Sequence, residues 1–185
     1  MMKMMLGRRG AALFFLAFFF VLAGPVWALE GETVRVTVDK RSREASFARK
    51  EDGGFCLLFY SGACWYSLTF GREAGDLLQK AAQNYALQFE KRKLKRGKPS
   101  SLRAYGSLPV SLAWGPSAQS LDREAPSEAE VGYFFDNNSP YFSVLVQNAK
   151  NTRKQDTPAL QESGQVLVLF TKSQLQGLLD AIFAR

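Results

Sequence analysis

Along this chain the apolar residues change period, from every second residue to every third or fourth and back again. That change restricts the fold more than any other feature. In TVRVTV, Val34, Val36 and Val38 share one face and Thr33, Arg35 and Thr37 the other, the pattern of a half-buried strand. EASFARK repeats it more weakly. Gly53-Gly54 punctuates, and GFCLLFYSGACWYSLTF reads as two strands reversing at Ser61-Gly62. After Phe70 the spacing turns helical, with Ala74, Leu77, Leu78, Ala81 and Tyr85 forming one stripe on a helix over residues 72–93.

The second half follows the same plan. SLPVSLAWG alternates through Leu108, Val110, Leu112 and Trp114, and Pro109 pushes this strand toward a sheet edge. EVGYFF and YFSVLVQN flank DNNSP, whose residues suit a tight reversal. QVLVLF is apolar on both faces, as a central, covered strand would be. Thr171 and Gln174 have capping-box spacing ahead of Leu175, Leu178, Leu179 and Ile182. The two helical stripes coincide at a shift of 101 residues, from Ala74 with Leu175 to Ala81 with Ile182. The expected fold class is α+β: antiparallel strands with two amphipathic helices, read as a duplicated ββββα unit packed as one domain. The pseudo-repeats would be residues 32–95 and 104–185. Any amphipathic helix has this spacing, so the stripes alone do not establish the duplication. The layout is similar to that of the whirly and PUR folds that bind single-stranded DNA, though no motif matches. The polar stretches 115–128 and 148–165 read as loops.

The N-terminus bears on destination. Lys3, Arg8 and Arg9 precede the apolar run 11–23, Pro25 breaks it, and Val26-Trp27-Ala28 offers a small-residue cleavage site. Residues 1–28 therefore read as a signal peptide, with an uncleaved anchor over residues 11–29 as the alternative. The expected location is periplasmic or secreted after cleavage, and membrane-anchored otherwise. Residues 29–185 form a single exported domain of ordinary size. The leader takes three positive charges with it, lowering the formal charge from +7 to +4. That excess is too small to announce a nucleic-acid binder, and export argues against that partner too.

Export favours a disulfide between Cys56 and Cys64. The hydrophobic pattern opposes it. With Ser61-Gly62 as a two-residue loop, Phe59 pairs with Cys64, and Cys56 falls on the face opposite Cys64, with Leu58, Tyr60 and Trp65.

The chain has no histidine, which excludes Ser-His-Asp and Cys-His catalysis and His-containing zinc sites. No Ser-x-x-Lys and no phosphate loop occur, and no cofactor is indicated. Carboxylates are the remaining catalytic route: Glu128, Glu130 and Asp136, with Asp122 and Glu124 before them. DNNSPY has a single charged oxygen ligand, too few for a calcium site. The densest charge is KRKLKRGK. Lys91, Arg92, Lys93, Lys95, Arg96 and Lys98 either complement a helix C-terminus or form a patch for anionic lipid, acidic glycan or an acidic partner. Tyr60 and Trp65 are a second interaction candidate. The expected function is a non-catalytic binding or assembly module of the cell envelope with a protein partner. A carboxylate-dependent hydrolase and a carrier of small ligands or lipids are the alternatives.

Overall fold

The computed structural model describes residues 32–96, 101–121, 124–151 and 161–184. The leader, Lys98 and Asp122 lie outside them. Four strands, β1 (Glu32–Val38), β2 (Arg41–Arg49), β3 (Phe55–Ser61) and β4 (Cys64–Phe70), lead into helix α1 (Glu73–Glu90). Four more, β5 (Arg103–Gly115), β6 (Ala125–Asp136), β7 (Ser139–Val146) and β8 (Val166–Phe170), lead into helix α2 (Lys172–Phe183).

The eight strands form one closed antiparallel barrel in sequence order, which corrects the expected α+β class. Two pairings make the difference. β4 and β5 join across the intervening helix, from Trp65↔Gly115 to Phe70↔Val110. β1 and β8 meet at Thr37↔Leu169. Each four-strand group is thus joined to the other on both sides, at the β1–β8 seam through a single residue pair, which shortens the exposed edges that would template pairing with another chain. Periodicity is a local property and says nothing about which strands pair across a helix.

The turns set the register. Asp39-Lys40 and Asn137-Asn138 are two-residue loops with both residues at positive φ, the geometry that matches the twist of paired strands. At the β3–β4 hairpin the loop is Gly62-Ala63 rather than Ser61-Gly62, with Gly62 taking the positive φ. Phe59 therefore pairs with Tyr66, not Cys64. The shift is even, so every side chain keeps its face. Cys56 and Cys64 are both free and on opposite faces, and no bridge joins them. Pro109 fits because β4 stops pairing at Val110, leaving that stretch of β5 paired only with β6. The expected polar loop 115–128 is shorter than its composition suggests, since Pro126, Ser127 and Glu128 already pair with β5.

Inward-facing Val36, Phe59, Leu68, Leu112, Val131 and Phe142 fill the barrel. The helices complete this core. Leu78 of α1 and Leu178 of α2 meet Phe55, Phe70, Val144 and Phe170 around a void of about 10 Å³. That space suits one water at most, so it is no chamber for a small ligand. The Thr171 capping box starts α2, and its Gln174 also accepts a hydrogen bond from Thr37 Oγ1 at 3.2 Å. At the other end, Arg49 Nε and Nη2 donate to Ala181 O at 3.0 and 2.8 Å, and Nη1 donates to Ala184 O. A guanidinium on the last carbonyls satisfies acceptors the helix leaves open and complements its dipole.

Candidate functional site

α1 ends at Glu90, earlier than its periodicity suggests, and the way it ends builds the site. Lys93 N–H donates to Gln88 O at 2.8 Å and Arg92 N–H to Phe89 O at 3.0 Å. These are the paired bonds of a Schellman motif. Its left-handed position is Arg92, with φ +52°, where glycine is usual. A side chain in that conformation costs about 1–2 kcal/mol. The turn sends Leu94 back against the core. The last turn itself contains no basic residue; the run begins at the C-cap, Lys91, and so lies at and beyond the helix's negative end.

The reversal leaves a cleft of about 430 Å³ among the end of α1, the β6–β7 hairpin and the start of α2. Its apolar surface is Phe89, Leu94, Phe135 and Pro140, with Arg92, Lys172 and Glu90 as its charged members. Phe89 is 39% exposed, an uncommon state for so large an apolar side chain. Arg96 lies over the Phe135 ring, 5.6 Å from guanidinium carbon to centroid. Lys172 pairs with Glu90 at 3.3 Å, and both side chains are nearly two-thirds exposed (63% and 64%). Such a pair contributes little to stability. Lys172 is also the first residue of α2, where the dipole favours acids, and that first turn has none. Lys172 is therefore not placed for the stability of α2.

Two buried phenols fix the walls. Tyr85 Oη donates to Pro140 O at 2.9 Å, tying α1 to the β6–β7 hairpin. Tyr133 Oη donates to Lys95 O at 3.2 Å, tying the basic segment to β6. Burial, with Tyr141 second, pushes the Tyr85 phenol up to about 12. Burial also raises Tyr105, which adjoins Tyr133, as well as Tyr66 and Cys56. In each case the fold favours the neutral form, so the unfolded chain ionises at lower pH. The sign follows from linkage: this contribution is complete below the ordinary values of 9.0 and 10.0 and is lost as pH rises through the folded ones. We expect the urea midpoint to fall steadily above about pH 9–10. Tyr85→Phe should flatten that fall while lowering stability at neutral pH.

The sequence candidates separate in the structure. Arg92 lines the cleft, Arg96 stacks beside it, and Lys91, Lys93 and Lys95 are exposed along the same segment. Tyr60 and Trp65 face each other across the β3–β4 hairpin, with rings 5.6 Å apart and Tyr60 39% exposed. That hairpin contributes nothing to the cleft lining. Glu128 and Glu130 point outward from β6, Glu128 into solvent and Glu130 accepting from Gln147 Nε2 at 3.1 Å. Asp136 sits half-buried at the β6–β7 turn, and Glu124 accepts from Thr69 at 2.9 Å. None of Glu124, Glu128, Glu130 and Asp136 lines the cleft at the helix ends. Phe89, Phe135, Pro140 and Lys172 were not visible as site residues in the sequence. Only Lys172 left a trace, a cation one residue after a helix cap.

The fold and the cleft define a small closed barrel, its core completed by two helices, with one cationic, aromatic-floored recess between the helix ends. A family model described as "Uncharacterised Treponema protein" matches residues 26–184, and the chain belongs to that family. No curated protein and no solved structure matches it.

Proposed function

We propose that the protein is a non-catalytic binding module of the cell envelope, exported behind its N-terminal leader, that holds an anionic partner at the cleft. The observation that carries this reading is the gathering of Arg92, Arg96 and Lys172 around exposed Phe89 and half-buried Phe135, with Arg92 in a left-handed conformation and Lys172 at the start of a helix. A few charged groups over an apolar floor is the usual make-up of a binding recess. Among the described residues no three Cys, Asp or Glu side chains group closely enough to hold a metal ion. No helix among the described residues is long and apolar enough to cross a membrane.

Fractionation of source cells tests the reading. The wild-type protein should sediment with the envelope and be released by about 1 M salt, which shortens electrostatic reach to about 3 Å. A chain carrying Arg92→Glu and Lys172→Glu should be at least tenfold less retained, since each reversal removes one attraction and adds a repulsion. Equal, salt-resistant retention of both chains would overturn the proposal.

A further inference from the structure

We infer that the anionic partner is the headgroup layer of an anionic phospholipid bilayer, and that Arg92 is kept at a strained helix end to meet it. This rests on the binding-module reading and names its ligand. None of the seven lining side chains carries a hydroxyl or an amide. Cations outnumber the single carboxylate, Glu90, and the rest of the lining is apolar, so the chemistry favours a partner with two kinds of surface, anionic and apolar. A bilayer interface presents that pair in layers, phosphates outside and acyl carbons just beneath. The cleft offers both kinds of group side by side, Phe89, Leu94 and Phe135 beside Arg92, Arg96 and Lys172, with Phe89 39% exposed. Guanidinium groups suit phosphate oxygens through paired donors, and aromatic rings sit well at headgroup depth. About 430 Å³ takes a headgroup and its first carbons, so the lipid stays in its membrane and the protein docks on the surface.

Two details support this occupant. Glu90 holds Lys172 through an exposed pair that a phosphate can replace. Arg92 occupies the left-handed position of the Schellman turn at φ +52°, where glycine would be unstrained. Lys40 holds a similar φ of +61° at the β1–β2 turn, so the strain at Arg92 supports function only together with its place at the cleft.

The test is co-sedimentation of the exported protein, purified from cells, with vesicles of mixed phosphatidylglycerol and phosphatidylcholine, against phosphatidylcholine alone. We expect salt-sensitive binding to the mixed vesicles only. Arg92→Gly should raise Tm by about 2–4 °C while lowering vesicle partition about fivefold, the share of one cation near an anionic surface. Glu90→Gln should tighten binding by freeing Lys172, and Phe89→Ser should weaken it without changing the salt slope. Equal binding to both vesicle types, or unchanged partition for Arg92→Gly, overturns the lipid assignment. If vesicles fail while the charge-reversed chain still loses envelope retention in cells, only the lipid inference falls. If retention is also unaffected, the binding-module reading falls with it.

Discussion

Replacing Phe142 with alanine is expected to lower the unfolding free energy by about 3–5 kcal/mol, seen as a lower urea midpoint at an unchanged m-value. Phe142 is fully buried on the inner face of β7, opposite Tyr133 on one side and Phe170 on the other. Its ring meets Tyr85 edge-on at 5.8 Å and Phe170 at 6.3 Å. One side chain therefore joins α1 to two strands of the barrel. The adjacent void is only about 10 Å³, so packing is already near its limit. Strands held in a closed ladder have little freedom to collapse into a new cavity, which puts this deletion toward the costly end of its range. Total stability is typically about 5–15 kcal/mol, so much of it would go. A loss below about 1 kcal/mol would mean the barrel relaxes around the gap, contrary to the close packing described here.

The legible parts of this fold were those written in neighbouring residues. Val34, Val36 and Val38 alternate because one face of β1 is core, and the Leu175–Leu178 spacing marks the buried stripe of α2. The faces of β3 and β4 were also readable, since Phe55, Leu57 and Phe59 would not tolerate an odd slip. Closure was not readable. Thr37 and Leu169 stand far apart in sequence, and nothing local in either records that they pair. The site divides in the same way. Its charge was visible as KRKLKRGK, but its floor was not, because Phe135 and Pro140 come from a hairpin well downstream of that run. The early helix end was hidden for another reason: the helical spacing carried the expected helix to residue 93, while the reversal is made at Arg92, a residue that does not normally take that conformation.

Two glycine-to-alanine changes should move stability in opposite directions, and the contrast tests how β5 and β6 meet beside the cleft. β5 carries one extra residue at Tyr105, since Ala104 pairs with Gly132 while Gly106 pairs with Val131. Such a bulge bends its strand and strengthens the local twist. It also presses backbone onto Gly132, where an added Cβ would lie 2.1 Å from Arg103 O and 2.7 Å from its carbonyl carbon. Backbone cannot swing aside as a side-chain tip can, so β6 or the bulge must move. Gly132→Ala should cost about 3 kcal/mol, the upper part of the range for overpacking. Tyr133, the next residue, holds Lys95 O at 3.2 Å and lies 6.1 Å from the Phe135 ring. A shift there reaches the cleft, and vesicle binding should weaken even at temperatures where the variant is folded. Gly177 is the control, exposed in the middle of α2 with nothing within 4 Å of an added Cβ. Gly177→Ala should stabilise by about 0.8–1 kcal/mol through helix propensity alone and leave binding unchanged. Thermal melts and co-sedimentation of both variants check the pair. If both stabilise, the bulge is more yielding than its geometry implies. If Gly132→Ala destabilises without touching binding, the Tyr133–Lys95 tether does not position the basic segment.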